Sequence, residues 1–188
     1  MPRILVHICC APCATYVVER LREEMSPVEL FGYWYNPNIH PYMEYRRRLD
    51  ALKDYSQKAG LRMIWRDEYD LDRFLRAVVF REDRRCMICY HMRLLATAQV
   101  ARRGKFDYFT TTLLYSKTQN HELVKEVAQA VAHEKGVKFL YRDFREGWKR
   151  GIELSLQEGL YRQNYCGCIY SERDRFSRRR TGWKSGES

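Results

Sequence analysis

Short apolar runs alternate with longer amphipathic segments along this chain of 188 residues. The apolar runs predict five strands, at residues 3–8, 30–35, 61–65, 106–110 and 137–141. Segments with helical spacing separate or follow these runs, at residues 12–24, 41–59, 70–79, 87–102, 118–134 and 151–165. Strands that alternate with helices over short connections are typical of a parallel sheet. We therefore expect an α/β fold, Rossmann-like or nucleotide-hydrolase-like, with a mainly parallel sheet and helices on both faces.

Glycine marks the predicted end of three helices, in the segments KAGLRMIW, RRGKFDYF and EKGVKFLY. Each of these glycines leads directly into a predicted strand. Glycine takes the left-handed backbone conformation without a steric penalty, so it ends helices readily. We expect Gly60, Gly104 and Gly136 to adopt that conformation.

The chain shows no internal repeat and no linker, which predicts a single domain over residues 1–175. Residues 176–188 are polar and basic, and we expect them to form a partly disordered C-terminal tail. No apolar run approaches the ~18 residues that span a bilayer, and the N-terminus lacks the pattern of a signal peptide. The sequence therefore predicts a cytoplasmic protein with no membrane partner.

The charge balance is strongly basic, with 34 Lys and Arg against 24 Asp and Glu and a net charge of +10. Basic proteins attract polyphosphate backbones at long range, so a nucleic acid is one candidate partner. A solvated, highly charged surface of the thermophile kind explains the same balance equally well. Charge alone leaves both interpretations open.

The seven cysteines fall into three clusters: Cys9, Cys10 and Cys13; Cys86 and Cys89; and Cys166 and Cys168. A disulfide framework is not expected in a reducing cytosol. The first cluster, CCAPC, stands at a predicted strand-to-helix turn, where the exposed N–H groups of a helix N-terminus stabilise thiolates. The second, CMIC, presents two sulfurs three residues apart on one side of a helix. We predict that Cys9, Cys10, Cys13, Cys86 and Cys89 bind metal at the carboxyl ends of the strands.

Four thiolates serve zinc and an iron–sulfur cluster equally well. The spacing of a zinc ribbon is absent, because 72 residues separate Cys13 from Cys86. Five sulfurs exceed what one closed zinc site needs, which favours a larger cluster or two metals. Thiol redox chemistry of the C-x-x-C motif CAPC is a third interpretation, although it leaves CMIC unexplained.

Parallel α/β sheets bind ligands beyond the carboxyl ends of their strands, so the residues that follow each predicted strand are site candidates. The substrate-binding candidates are Asn36, Asn38, His40, Arg48, Thr111, Tyr115, Lys117 and Gln119. The catalytic candidates are His7, Cys9, Glu44 and Tyr45. Amide, phenol and guanidinium groups suit a polar substrate that carries phosphates. Capping or turn roles are the alternative for single residues, and Glu44 with Arg48 has the spacing of an ordinary surface helix pair.

Five motifs in order carry a family resemblance: HICCAPC, YNPNIHPYMEYRRR, CMICYHMR, TTTLLYSKTQN and FREGWKRGIELSLQEGLYRQNYCGCIYS. Together they resemble the QueH family of epoxyqueuosine reductases, from about residue 3 to residue 175. The resemblance implies removal of the epoxide oxygen of epoxyqueuosine in tRNA, without cobalamin, to give queuosine. It also implies a [4Fe-4S] cluster and an additional mononuclear iron. The two electrons of this reaction require an external donor, for which a ferredoxin- or flavodoxin-like protein is the candidate.

Within that framework we predict that Cys10, Cys13, Cys86 and Cys89 ligate most of the cluster. Adjacent side chains at the end of a strand point to opposite sides, so Cys9 and Cys10 should face different centres, with Cys9 towards the second iron.

The pair Cys166 and Cys168 is expected near the site, either as a readily reduced disulfide or as an additional ligand of the second iron. The helix predicted over residues 151–165 would deliver it there. A purely structural role is the alternative.

Two other classes share part of these features. A zinc-stabilised nucleic-acid-binding module would have the cysteines and the charge, and another iron–sulfur or ATP-dependent tRNA-modifying enzyme would have the fold. The first turn lacks a Gly- and Ser-rich loop that cradles phosphates, which disfavours nucleotide binding there.

Overall fold

The structure, a computed structural model, describes residues 1–177. Its strands are β1 (Arg3–His7), β2 (Glu29–Trp34), β3 (Arg62–Trp65), β4 (Tyr108–Thr111) and β5 (Lys138–Phe139). Its helices are α1 (Ala11–Glu24), α2 (Tyr42–Lys58), α3 (Leu71–Val78), α4 (Arg85–Arg103), α5 (His121–Lys135), α6 (Trp148–Gln157) and α7 (Ile169–Ser177). Short 3₁₀ turns precede α4 and α6 and follow β4. No helix in this part of the chain is long and apolar enough to cross a membrane.

The five strands form one parallel sheet in the order β3-β2-β1-β4-β5. The chain moves outward from β1 to β3, returns through α3 and α4 to β4 beside β1, and then continues outward to β5. Right-handed crossovers in these two directions place α1 and α2 on one face of the sheet and α4 and α5 on the other. The predicted α/β fold is confirmed, and its topological switch point lies beyond the carboxyl ends of β1 and β4.

Strand β1 is the centre of the core. Ile4, Leu5, Val6 and His7 are fully buried, because helices cover both faces of this strand. The register pairs His7 of β1 with Thr111 of β4. The residues that follow His7 and Thr111 therefore emerge side by side at the switch point.

The predicted helix over residues 151–165 is wrong in both bounds. Helix α6 ends at Gln157, and Gly159 has a positive φ of 61° that takes the chain out of the helix. The next nine residues follow an irregular path before α7 begins. Helix α7 includes residues 176 and 177, and the rest of the predicted tail lies outside the described residues.

The glycine rule holds at two of its three positions. Gly60 and Gly136 have φ of 57° and 61°, as expected for left-handed residues. Gly104 instead has φ of −81°, and the next residue, Lys105, takes the positive φ. Space explains the glycine at 104, because a Cβ there would lie 2.6 Å from the ring of Phe106.

Candidate metal centre and active site

The first cysteine cluster forms a compact group of sulfurs at the turn from β1 into α1. Cys10 is the N-cap of α1, and Cys13 lies in its first turn. The Sγ atoms of Cys9, Cys10 and Cys13 all lie within 4.8 Å of one another. Among the described residues, no other group of three Cys, His, Asp or Glu ligand atoms is this close. We call these three residues the cysteine trio.

The expectation that Cys9 and Cys10 face different sides is wrong, since their sulfurs are 3.8 Å apart. Strand β1 ends at His7, and the chain then turns into α1. The alternation of side chains along a strand therefore does not extend to the two cysteines.

Hydrogen-bond donors around the trio favour a thiolate at Cys9, whereas burial raises the pKa of Cys10, and the sulfurs of Cys10 and Cys9 raise the pKa of Cys13. The thiols of Cys10 and Cys13 hold the pKa of Cys9 well below its ordinary value by hydrogen bonding to its sulfur. The Thr112 hydroxyl donates to the same sulfur at 3.3 Å. The Gln163 side-chain amide donates to the sulfur of Cys10 at 2.8 Å. The trio therefore favours one thiolate, at Cys9, with the thiols of Cys10 and Cys13 donating to its sulfur.

His7 lies directly beneath the trio with both ring nitrogens occupied. Its Nδ1 is 2.9 Å from Thr111 Oγ1, and its Nε2 is 3.2 Å from Asn36 Oδ1 and 3.3 Å from the Tyr35 carbonyl. Because the two neighbours of Nε2 are acceptors, we assign the ring proton to that nitrogen. Burial lowers the pKa of His7 to about 4. The imidazole is therefore neutral at pH 7 and connects β1 with β4 and with the segment after β2.

The other four cysteines lie together: Cys86 and Cys89 belong to α4, and Cys166 and Cys168 lie close to them. Cys89 and Cys168 share an apolar cluster with Phe74 and Val78 of α3. Burial, with Cys166 and Cys168 close by, raises the pKa of Cys89 to about 12. Cys86 is exposed at the start of the helix. The structure thus divides the seven cysteines into the trio and a second group formed by Cys86, Cys89, Cys166 and Cys168.

A buried arginine that the sequence analysis missed lies near cysteines of both groups. Arg93 of α4 is 1% exposed, and Cys89, Cys166 and Cys9 are the ionisable groups that act on it most strongly. Its spacing was a usable signal, because Cys86, Cys89 and Arg93 share one face of a helix at i, i+3 and i+7.

Residues 160–168, which we call the covering loop, extend across the cysteines. Gln119 donates to the sulfur of Cys166 at 2.9 Å, and its own carbonyl oxygen accepts the Tyr90 hydroxyl at 2.7 Å. The His40 amide donates to the Gly167 carbonyl at 2.8 Å. These contacts hold Cys166 beside α4 and the segment after β2.

Arg48 and Glu44 attach the covering loop to α2. Their side chains form a 2.7 Å ion pair and are 1% and 7% exposed, so the interpretation as an ordinary surface pair is wrong. Arg48 also donates to the carbonyls of Cys166 at 2.7 Å and Tyr165 at 3.0 Å. The second oxygen of Glu44 accepts the Tyr161 hydroxyl at 2.6 Å. The pair therefore fixes the position of the loop that carries Cys166.

Comparison with known proteins gives the family. The model of the family described as epoxyqueuosine reductase QueH matches residues 4–174. The chain belongs to this family. A QueH epoxyqueuosine reductase of Dehalococcoides mccartyi is 39% identical over 94% of this chain and 96% of its own length. Relatives of the same name from Thermotoga maritima and Staphylococcus epidermidis are each 34% identical, over 91% and 90% of this chain and 91% and 76% of their own lengths.

The donor set of this QueH family member suits a thiophilic metal. Thiolate sulfur selects zinc, copper(I) and iron–sulfur clusters over hard cations. The trio supplies three such sulfurs within 4.8 Å and leaves further coordination positions for other ligands. The residues present therefore fit a metal cofactor.

The predicted substrate residues of this QueH family member are more enclosed than expected. Asn36, Asn38 and His40 are each 1% exposed or less, and Glu44, Tyr45 and Arg48 are 6% exposed or less. In this structure they do not line an open cavity, because the covering loop and the protein core enclose them. Asn38 Oδ1 and His40 Nδ1 are buried without a hydrogen-bond partner among the described residues. These two atoms are the polar groups of the set that are free to accept a ligand.

Three other candidates contact groups outside the cysteines. The Tyr45 hydroxyl lies 3.1 Å from Trp34 Nε1 and 2.9 Å from Asp67. Tyr115 donates to the Trp148 carbonyl at 3.1 Å, and the exposed Lys117 lies over the Trp148 ring, 5.9 Å from its centre. Their substrate or catalytic roles stay predictions.

Proposed function

We propose that this protein reduces epoxyqueuosine in tRNA to queuosine without cobalamin. Membership of the QueH family supports the activity, and the cysteine trio at the switch point is the observation that carries the chemistry. In the reaction both C–O bonds of the epoxide break and a C=C bond forms between the two carbons. Two electrons and two protons enter, and the oxygen leaves as water.

We further propose that a [4Fe-4S] cluster and an additional iron occupy the site. Cys10, Cys13, Cys86 and Cys89 are the proposed cluster ligands. Cys9 is a proposed metal ligand as well, and because its sulfur lies 3.8 Å from that of Cys10, its position does not assign it to a separate iron. When bound, these groups would supply electrons singly and a Lewis acid for the oxygen. The Thr112 hydroxyl supports a thiolate at Cys9, and the Gln163 amide donates to the sulfur of Cys10.

Cys166 and Cys168 are proposed as a redox pair or as additional ligands, supported by their position beside Cys89. The two roles differ in metal content when either residue is changed to Ser. A relay pair would keep all the iron and lose multiple turnover, whereas a ligand pair would lose the second iron. Full metal content with wild-type activity on a chemical reductant would contradict both.

A tRNA that carries epoxyqueuosine is the proposed substrate, and the net charge of +10 supports attraction of its phosphates. We propose that Asn36, Asn38 and His40 contact the modified base, with the unpartnered atoms of Asn38 and His40 as the specific points. A ferredoxin- or flavodoxin-like protein is the proposed electron donor, and the cytoplasm is the proposed location.

The test is anaerobic purification followed by iron, sulfide and zinc analysis, with conversion of epoxyqueuosine in tRNA followed by nucleoside mass spectrometry. We expect brown protein that contains iron and sulfide and forms queuosine when a chemical reductant is supplied. Cys10→Ser should lose iron and turnover together. Colourless zinc protein that leaves epoxyqueuosine unchanged would support the nucleic-acid-binding module instead.

Asn36→Ala and Tyr45→Ala separate substrate contact from structural support. A residue that contacts substrate should lose turnover and keep the absorbance of the cluster. Loss of that absorbance in either variant would assign the residue a structural role. Because Asn36 holds His7 and the Ile8 carbonyl, its variant is the more demanding test of the substrate-binding proposal.

A further inference from the structure

Arg93 is a buried cation that no described carboxylate balances. Its Nε donates to the Cys89 carbonyl at 3.3 Å, and its Nη2 is buried with no hydrogen-bond partner among residues 1–177. No Asp or Glu of that part of the chain appears among the strongest charges acting on it. A buried guanidinium without a negative partner strongly disfavours folding. A negative charge from another source is therefore needed beside Arg93.

Arg48 is a buried arginine of the same protein that has a carboxylate partner and hydrogen-bond acceptors. It is also 1% exposed, but it pairs with Glu44 at 2.7 Å and donates to two carbonyl groups. The ionisable groups that act most strongly on Arg93 are cysteines: Cys89 and Cys166 of the second group and Cys9 of the trio. The guanidinium is thus near cysteines of both groups, whose sulfurs would be negative as metal ligands.

We propose that Arg93 balances the negative charge of the cysteine-ligated metal centre and thereby raises the reduction potential of that centre. This inference rests on the proposed metal centre. Thiolate ligands make such a centre anionic, and each electron that enters adds negative charge. A fixed cation in a medium of low dielectric constant stabilises the reduced form more than the oxidised form. Arg93 acts through the centre, so it is a positioning residue and not a catalytic one.

The experiment compares Arg93→Met, Arg93→Lys and wild-type protein, each purified anaerobically with its centre. Met removes the charge and keeps much of the apolar length, whereas Lys keeps the charge. Arg102→Met is the matched control, because Arg102 is an exposed arginine of the same helix near its other end. The readouts are iron and sulfide content, thermal unfolding, and the midpoint potential from a redox titration followed by electron paramagnetic resonance.

We expect Arg93→Met to disfavour one-electron reduction at least tenfold, which is a drop in potential of about 59 mV. Arg93→Lys and Arg102→Met should stay close to wild type. Binding of iron and sulfide by Arg93→Lys but not by a folded Arg93→Met would also support the proposal, because Lys supplies the positive charge that Met lacks.

Two results would overturn the proposal. These are an unchanged potential in a loaded Met variant, or failure of the Lys variant to fold or to load its centre. The second result would show that the shape of the guanidinium, rather than its charge, is required. Wild-type protein that contains no iron would instead contradict the proposed function, so the two failures are distinguishable.

Discussion

Arg48→Met should destabilise the protein and release the covering loop from α2. The change removes two charge-assisted hydrogen bonds to the carbonyls of Cys166 and Tyr165, each worth about 1.5–3 kcal/mol. It also leaves Glu44 buried without its cation. Breaking a buried pair by removing one partner costs about 3–5 kcal/mol. These two contributions overlap, so we expect the free energy of unfolding to fall by about 3–5 kcal/mol.

Urea unfolding measures the global loss, and hydrogen exchange of the His40 amide, which donates to the Gly167 carbonyl, reports on the loop. Arg46→Met is the matched control on the same helix. The ion pairs of Arg46 with Asp50 and Asp67 are partly exposed, so Arg46→Met should lower the free energy of unfolding by about 1 kcal/mol or less. An Arg48→Met variant that is no less stable than the control, with the His40 amide as protected as in wild type, would refute the reasoning.

Three further outcomes are expected. Cys89→Ser should lower iron and sulfide content, and unchanged content would remove Cys89 from the proposed ligands. Gly151→Ala should lower the free energy of unfolding in urea by about 1–3 kcal/mol, because the new Cβ would lie 2.7 Å from Cζ of the buried Tyr115. A more stable Gly151→Ala variant would show that the ring moves freely. Burial lowers the pKa of His40 from 6.5 to about 4, so the unfolded chain binds this proton first as pH falls. Between pH 6.5 and pH 4 the free energy of unfolding should therefore fall by about 3 kcal/mol more in wild type than in His40→Gln. Equal decreases in the two proteins, measured by urea unfolding, would contradict this.

The alternation of strands and helices could be predicted because it depends on local periodicity. The order of the strands could not, since it depends on which strands pair across long stretches of chain. Helix α6 shows the limit of local reasoning: residues 151–165 have a helical pattern, but the segment after Gly159 bonds to α2 and to the cysteines instead. Gly104 shows a second limit, because the ring of Phe106, and not backbone conformation, requires a glycine there.

The sequence by itself determined which reactive groups this protein offers and which family it belongs to: its thiols occur in three clusters, one of them at a strand-to-helix turn, and its motifs match one family. These features are local and therefore visible in one dimension. Only the tertiary structure decided which thiols meet. It brought Cys9 and Cys10 together where strand alternation predicted separation, and it placed Arg93 near cysteines that are far apart in the chain. The physical reason is that a buried charge and its partners are matched by packing across the sheet, which local sequence spacing does not encode.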